Sequence, residues 1–95
     1  MNNSWGSSAS VLDVEYTKQA SDFLRKNHEL LTGRITKKVE DLRNNPFPAD
    51  TKRVFGSSEK QFRIRVGDYR ILYVVSHETK IISILRIDHR SRVYE

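Results

Sequence analysis

Three observations predict an α+β fold in which a small twisted antiparallel sheet packs against an N-terminal helical hairpin, in the order β-α-α-β-β-β. Residues 61–94 alternate apolar and polar side chains at period two, the signature of strands with one buried face. Residues 18–43 instead place apolar side chains three and four apart, the spacing of a helical stripe. Turn residues separate these patterns, most clearly at Asn44-Asn45-Pro46-Phe47-Pro48, at Gly56 and at Gly67-Asp68. The 95 residues suit one domain. We expect it to span 11–95, behind a small, polar tail over 1–10 whose single Trp5 has no apolar neighbours.

The elements follow in order. Residues 11–16 alternate, with Leu12, Val14 and Tyr16 on one face, and predict a first strand. Thr17 is then placed to cap a helix running to about Asn27, with Ala20, Phe23 and Leu24 as a narrow apolar stripe. Asn27-His28 marks its end, with His28 as a loop or cap residue. Leu31, Ile35, Val39 and Leu42 define a second helix over residues 30–43, stopped by the prolines that follow. Residues 52–55 form a short extended segment, with Phe55 expected at the core edge. In the next strand Phe62, Ile64 and Val66 face the core, and Gln61, Arg63 and Arg65 face away. Gly67-Asp68 closes a tight hairpin into a strand over 69–75, and a last strand covers 80–87.

Composition narrows the function. The absence of cysteine excludes a disulfide framework and a cysteine-ligated metal, and fits a reducing cytoplasm. No apolar run approaches the ~20 residues of a membrane span, and no signal-peptide pattern opens the chain. The net charge is +5. Residues 1–60 hold ten Lys/Arg against eight Asp/Glu, a nearly balanced helical surface, whereas residues 61–95 hold seven against four. The excess therefore sits on the strands and the final segment, where an anionic partner such as nucleic acid would meet it.

The histidines at 28, 77 and 89 share no metal-ligand spacing, so no metal or other cofactor is expected. No nucleophilic serine motif is present. What remains is Arg63, Arg65, Arg70, Arg90 and Arg92, with His89 and Tyr94 beside the last two. Arg63 and Arg65 are two apart on a strand, so their side chains share a face about 7 Å apart. Guanidinium groups so placed suit bidentate contact with phosphate oxygens. A plain solvated face is the competing reading of these three arginines. Spacing alone does not tell whether Arg70 joins the pair. His89 and Tyr94 are groups able to move a proton, and packed structural roles fit them as well.

The stretch Phe62-Arg63-Ile64-Arg65-Val66-Gly67-Asp68-Tyr69-Arg70-Ile71-Leu72-Tyr73, followed by Asp88-His89-Arg90-Ser91-Arg92-Val93-Tyr94, closely resembles the RelE/ParE superfamily of toxins from toxin–antitoxin pairs. The resemblance implies a RelE-like domain and a toxin that cleaves messenger RNA in the ribosomal A site without metal, by attack of a ribose 2′-OH on the adjacent phosphate. It carries the family's functional positions onto Arg63, Arg65, Arg70, Arg90 and Tyr94, with His89 as a further proton-handling candidate. Some relatives have lysines where this chain has Arg63 and Arg65, a change that keeps charge and leaves proton transfer to Tyr94 or His89. The implied partners are a RelB-like antitoxin that wraps the toxin, the ribosome and messenger RNA, with operator DNA for the toxin–antitoxin complex, all in the cytoplasm. Two alternatives share the motifs: a ParE-like inhibitor of DNA gyrase, and a non-catalytic member that binds only its antitoxin and operator DNA.

Overall fold

The computed structural model of the chain describes residues 11–56 and 58–91. The expected tail over 1–10, and Arg92, Val93 and Tyr94 of the basic end, lie outside the described residues. The order is β1 (Asp13–Tyr16), α1 (Lys18–Lys26), α2 (Glu29–Asn44), β2 (Lys52–Val54), β3 (Gln61–Val66), β4 (Tyr69–Ser76) and β5 (Ile81–His89). The strands form one sheet in the order β1-β5-β4-β3-β2.

Strands β2 to β5 pair antiparallel with their neighbours, as expected. β1 departs from that pattern and runs parallel to β5, with Asp13 opposite Ile81 and Tyr16 opposite Ile84. Strands joined by a tight turn must run antiparallel, but nearly the whole domain separates β1 from β5, so the chain is free to return in the same direction. The extended segment after the prolines is a true fifth strand at the opposite edge.

Local chemistry sets the helix ends. The Thr17 hydroxyl accepts from the Ala20 N–H at 3.3 Å as N-cap of α1 and donates to the Leu85 carbonyl at 2.7 Å. Two residues on, the Gln19 amide donates to the Ile87 carbonyl at 2.8 Å and accepts from the Ile87 N–H at 2.9 Å. β1 ends opposite Ile84, so these two side chains continue the pairing along an otherwise open edge of β5. His28 caps α2 through Nδ1, which accepts from the Leu30 N–H at 3.1 Å.

The core lies between the helices and one face of the sheet. Ile35, Val39 and Leu42 of α2 meet Ile64, Ile71, Tyr73, Ile82, Ile84 and Ile87, all essentially inaccessible. Burial of each such side chain stabilises by roughly 1.5–3 kcal/mol. The inward positions on β5 are spaced two and then three apart because Leu72 pairs with Arg86 while Tyr73 pairs with Ile84. Leu85 is the extra residue of a bulge, which resets the alternation so that Ile87 points inward and Arg86 outward. Tyr73 spans the core to donate to the Pro46 carbonyl at 2.6 Å, pinning the proline segment to the sheet.

Phe55 differs from expectation: it is 73% exposed rather than tucked against the core. β2 ends at Val54 and the chain turns at Gly56, whose φ is +98°, so Phe55 falls past the last strand pair. The Arg53 guanidinium lies over its ring, 5.0 Å from the centroid.

Candidate functional site

Strand register assembles the outer face of the sheet from the sequence. Residues directly opposite each other share a face, so one row reads Lys52, Arg63, Leu72 and Arg86, and the next reads Arg65, Arg70 and Asp88. Arg65 and Arg70 stand directly across from one another because the two-residue turn Gly67-Asp68 pairs Val66 with Tyr69. Gly67 takes φ +59°, a left-handed conformation that glycine adopts without steric cost. Like charges at opposed positions destabilise a sheet, so this placement runs against the interest of the fold alone.

Arg63, Arg65 and Arg70 line one cleft of about 420 Å³, together with Lys52 and Asp50. Asp50 also faces Lys38 of α2 at 3.5 Å. β2 begins opposite Arg63, so β3 has no strand beyond that point to close the cleft. The Arg70 guanidinium folds back on the hairpin, donating to the Tyr69 carbonyl at 3.1 Å and the Gly67 carbonyl at 3.4 Å. Partial burial pushes its pKa below the ordinary arginine value, and the positive charges of Arg65, Arg63 and Arg90 push the same way, against Asp68. Arginine remains charged at neutral pH even so. Arg70 therefore stands in the positive field of three other arginines, which a bound phosphate would offset.

The remaining expected site residues divide. Arg90 is exposed beyond β5, its N–H donating to the Asp68 carbonyl at 2.8 Å, which brings it to the hairpin end of the cleft. Arg86, which was not among the expected site residues, is turned to Asp88 at 3.0 Å. His89 is not beside the arginines. It pairs with Tyr69 on the helix-facing side and meets that ring edge-on at 5.4 Å, because alternation along β5 sends Asp88 outward and His89 inward. Its Nδ1 lies 3.0 Å from the Ser91 hydroxyl. Tyr94 lies outside the described residues.

Sequence reasoning missed Lys52 and Gln19. Lys52 shows no signal of its own, since only the β2–β3 register puts it opposite Arg63. Gln19 is an ordinary first-turn residue until β5 is beside it. Among the described residues no helix is long and apolar enough to cross a membrane.

Comparison with known proteins adds independent findings. The family model described as ParE toxin of type II toxin–antitoxin system, parDE, matches residues 14–94. A protein of Methanocaldococcus jannaschii described as a candidate toxin, RelE1, is 40% identical over 60 residues, which cover 60% of this chain and 66% of that protein, just under two thirds of its length. Among solved structures, the archaeal RelE–RelB complex from Pyrococcus horikoshii OT3 contains a chain 28% identical, with a TM-score of 0.74, covering 87% of this chain and 99% of its own. The RelBE2 toxin–antitoxin complex from Mycobacterium tuberculosis gives 28% identity and a TM-score of 0.71, covering 84% and 99%.

Proposed function

The chain belongs to the ParE toxin family of type II toxin–antitoxin systems, within the RelE/ParE superfamily, and on that premise we propose that it is a ribosome-dependent endoribonuclease that cuts messenger RNA in the A site. The observation that carries the reading is the convergence of Arg63, Arg65 and Arg70 on one open cleft, with Arg65 facing Arg70. That arrangement suits a phosphodiester.

In this reading the ribose 2′-oxygen attacks the adjacent phosphorus while the bond from phosphorus to the 5′-oxygen breaks. The products are a 2′,3′-cyclic phosphate and a 5′-hydroxyl. Negative charge grows on the non-bridging oxygens as the phosphorus becomes five-coordinate, and fixed guanidinium groups stabilise that charge more than the ground state. A proton must leave the 2′-OH and another must reach the 5′-oxygen. Arginine holds its proton too tightly to serve as the base, and His89 faces the helices. We therefore assign proton handling to Tyr94, with the ribosome holding the attacking oxygen in line. Arg90 supplies further charge at the hairpin end.

The partner in this reading is a RelB-like antitoxin, as in the complexes of the P. horikoshii and M. tuberculosis relatives, and a segment carrying acidic residues would inhibit by covering the cleft. Toxin, antitoxin and ribosome would meet in the cytoplasm. Purified protein added to programmed ribosomes should create new messenger 5′ ends, and Arg70→Ala or Tyr94→Phe should slow their appearance sharply. Intact messenger would count against the reading.

A second reading, inhibition of DNA gyrase, is favoured by the family model's own ParE description. Loss of supercoiling in a gyrase assay, with ribosomal messenger left intact, would select it.

A further inference from the structure

A second concavity, of about 580 Å³, opens on the helix side of the sheet, behind the arginine cleft. Its aromatic walls are Phe23 of α1 with Tyr69 and His89, the paired ends of β4 and β5. Phe23 and Tyr69 meet at 5.6 Å with planes 65° apart, and Tyr69 and His89 at 5.4 Å with planes 86° apart. Rings set at such angles form a corner rather than a closed stack. A flat group entering the corner lies along one face while its edge meets another ring.

The polar groups around the corner are only partly committed. His89 uses Nδ1 toward Ser91, which leaves Nε2 open. Asn27 donates through its side-chain nitrogen to the Phe23 carbonyl at 2.8 Å and keeps its side-chain oxygen. The Tyr69 hydroxyl and the Lys26 ammonium, both at the pocket, have no hydrogen bond or ion pair among the described residues. The nearby carboxylate of Asp22 is occupied by Lys18 at 2.9 Å and Arg25 at 2.8 Å, so it does not repel an anion as a bare charge would.

An aromatic corner edged by donors, an acceptor, one cation and two carboxylates already held in ion pairs, Asp22 and Asp88, matches a planar heterocycle with polar edges, carried on an anionic backbone. The volume falls within the ~300–1,000 Å³ of small-ligand sites. The pocket lies back to back with the cleft across β4, since Tyr69 lines one and Arg70 the other on opposite faces of the strand, and His89 precedes Arg90 at the hairpin end. We infer that this pocket receives one nucleobase of the RNA whose phosphates lie on Arg65 and Arg70, swung out of its stack and round the ends of β4 and β5. The inference rests on the endoribonuclease reading and extends it to base recognition.

The test is single-turnover cleavage on ribosomes programmed with a panel of A-site codons, using Lys26→Gln and Tyr69→Phe. Both changes keep side-chain bulk, and the amide NMR spectrum of each variant checks its fold. A lost contact to the base should change relative rates among codons by about three- to tenfold, whereas Arg70→Ala should slow all codons alike. Folded variants that cut every codon at the unmodified protein's rates overturn the inference and leave the endoribonuclease reading standing. If the unmodified protein leaves messenger intact, both fall. Adenosine monophosphate supplies the remaining arm: NMR shifts at Phe23, Tyr69 and His89 on its addition, with codon rates unaltered in the variants, would assign the pocket to a free nucleotide and overturn the RNA-base inference.

Discussion

The two faces of strands β3 to β5 share one backbone and have opposite fates. On the helix side Ile64, Ile71 and Ile87 form a row at 0–1% exposure. One residue along each strand, Arg65, Arg70 and Asp88 form the next row on the outside, with two guanidinium groups directly opposed. The inner row lowers the free energy of the fold. The outer row instead sets Arg65 against Arg70, a like-charge pair that costs the fold and that Asp88, opposite Arg70, offsets only in part, a placement suited to contact with an anion. Adjacent residues of one strand thus serve different ends, and period two is what sorts them.

Neighbouring substitutions can break that contrast. Arg70→Ala should lower cleavage on programmed ribosomes by about 10²–10³-fold, the usual loss when a donor to a developing oxyanion is removed, while urea unfolding shows stability unchanged or slightly raised. If activity survives, the outer row is only a solvated surface. Ile71→Ala, the very next residue, should do the reverse and cost roughly 2–5 kcal/mol of stability through the cavity it leaves. A small effect there would mean that the inner face is loosely packed.

Two smaller tests sharpen the boundary between fold and site. Gln19→Ala leaves the Ile87 N–H and carbonyl without their side-chain partner and should cost about 1–3 kcal/mol. Faster amide exchange at Ile87, with the β3–β4 hairpin unaffected, would show that the loss is confined to the strand edge. Tyr73→Phe removes the bonds to Pro46 and Thr51 and should cost about 1 kcal/mol near neutral pH. Desolvation raises the Tyr73 pKa above its ordinary value, so the folded state holds this proton more tightly than the unfolded chain does. That part of the stability is complete below about pH 10 and is lost as pH rises through the folded-state pKa. The phenylalanine variant should therefore lose less stability under alkali than the unmodified protein. Tyr16, whose pKa is also raised by desolvation first, contributes to the residual slope in both.

Much of this was legible in the chain. Thr17 as a cap, and Ile35, Val39 and Leu42 as a core stripe, follow from local order because helix caps and stripes depend on residues within one or two turns of each other. Gly67-Asp68 announced its hairpin for the same reason. Phe55 lies outside the core because the edge strand stops at Val54, a limit that nothing local announces.

The candidate site was legible in part. Alternation put Arg63 and Arg65 outside Ile64 and Val66, since a strand has only two faces and the apolar set must take the buried one. That much follows from the order of residues alone. The opposition of Arg65 to Arg70 follows from the local Gly67-Asp68 turn, but the arrival of Lys52 beside Arg63, the Leu85 bulge that turns Arg86 outward, and the parallel docking of β1 on β5 all depend on which strands become neighbours. So does the placing of His89 against Tyr69 and Phe23, on the far side of the sheet from the arginines. The local pattern assigns each residue a face. Beyond a tight turn, only the packing of distant segments decides what stands opposite it, because those contacts are chosen by the burial of the whole core rather than by any neighbour in the chain.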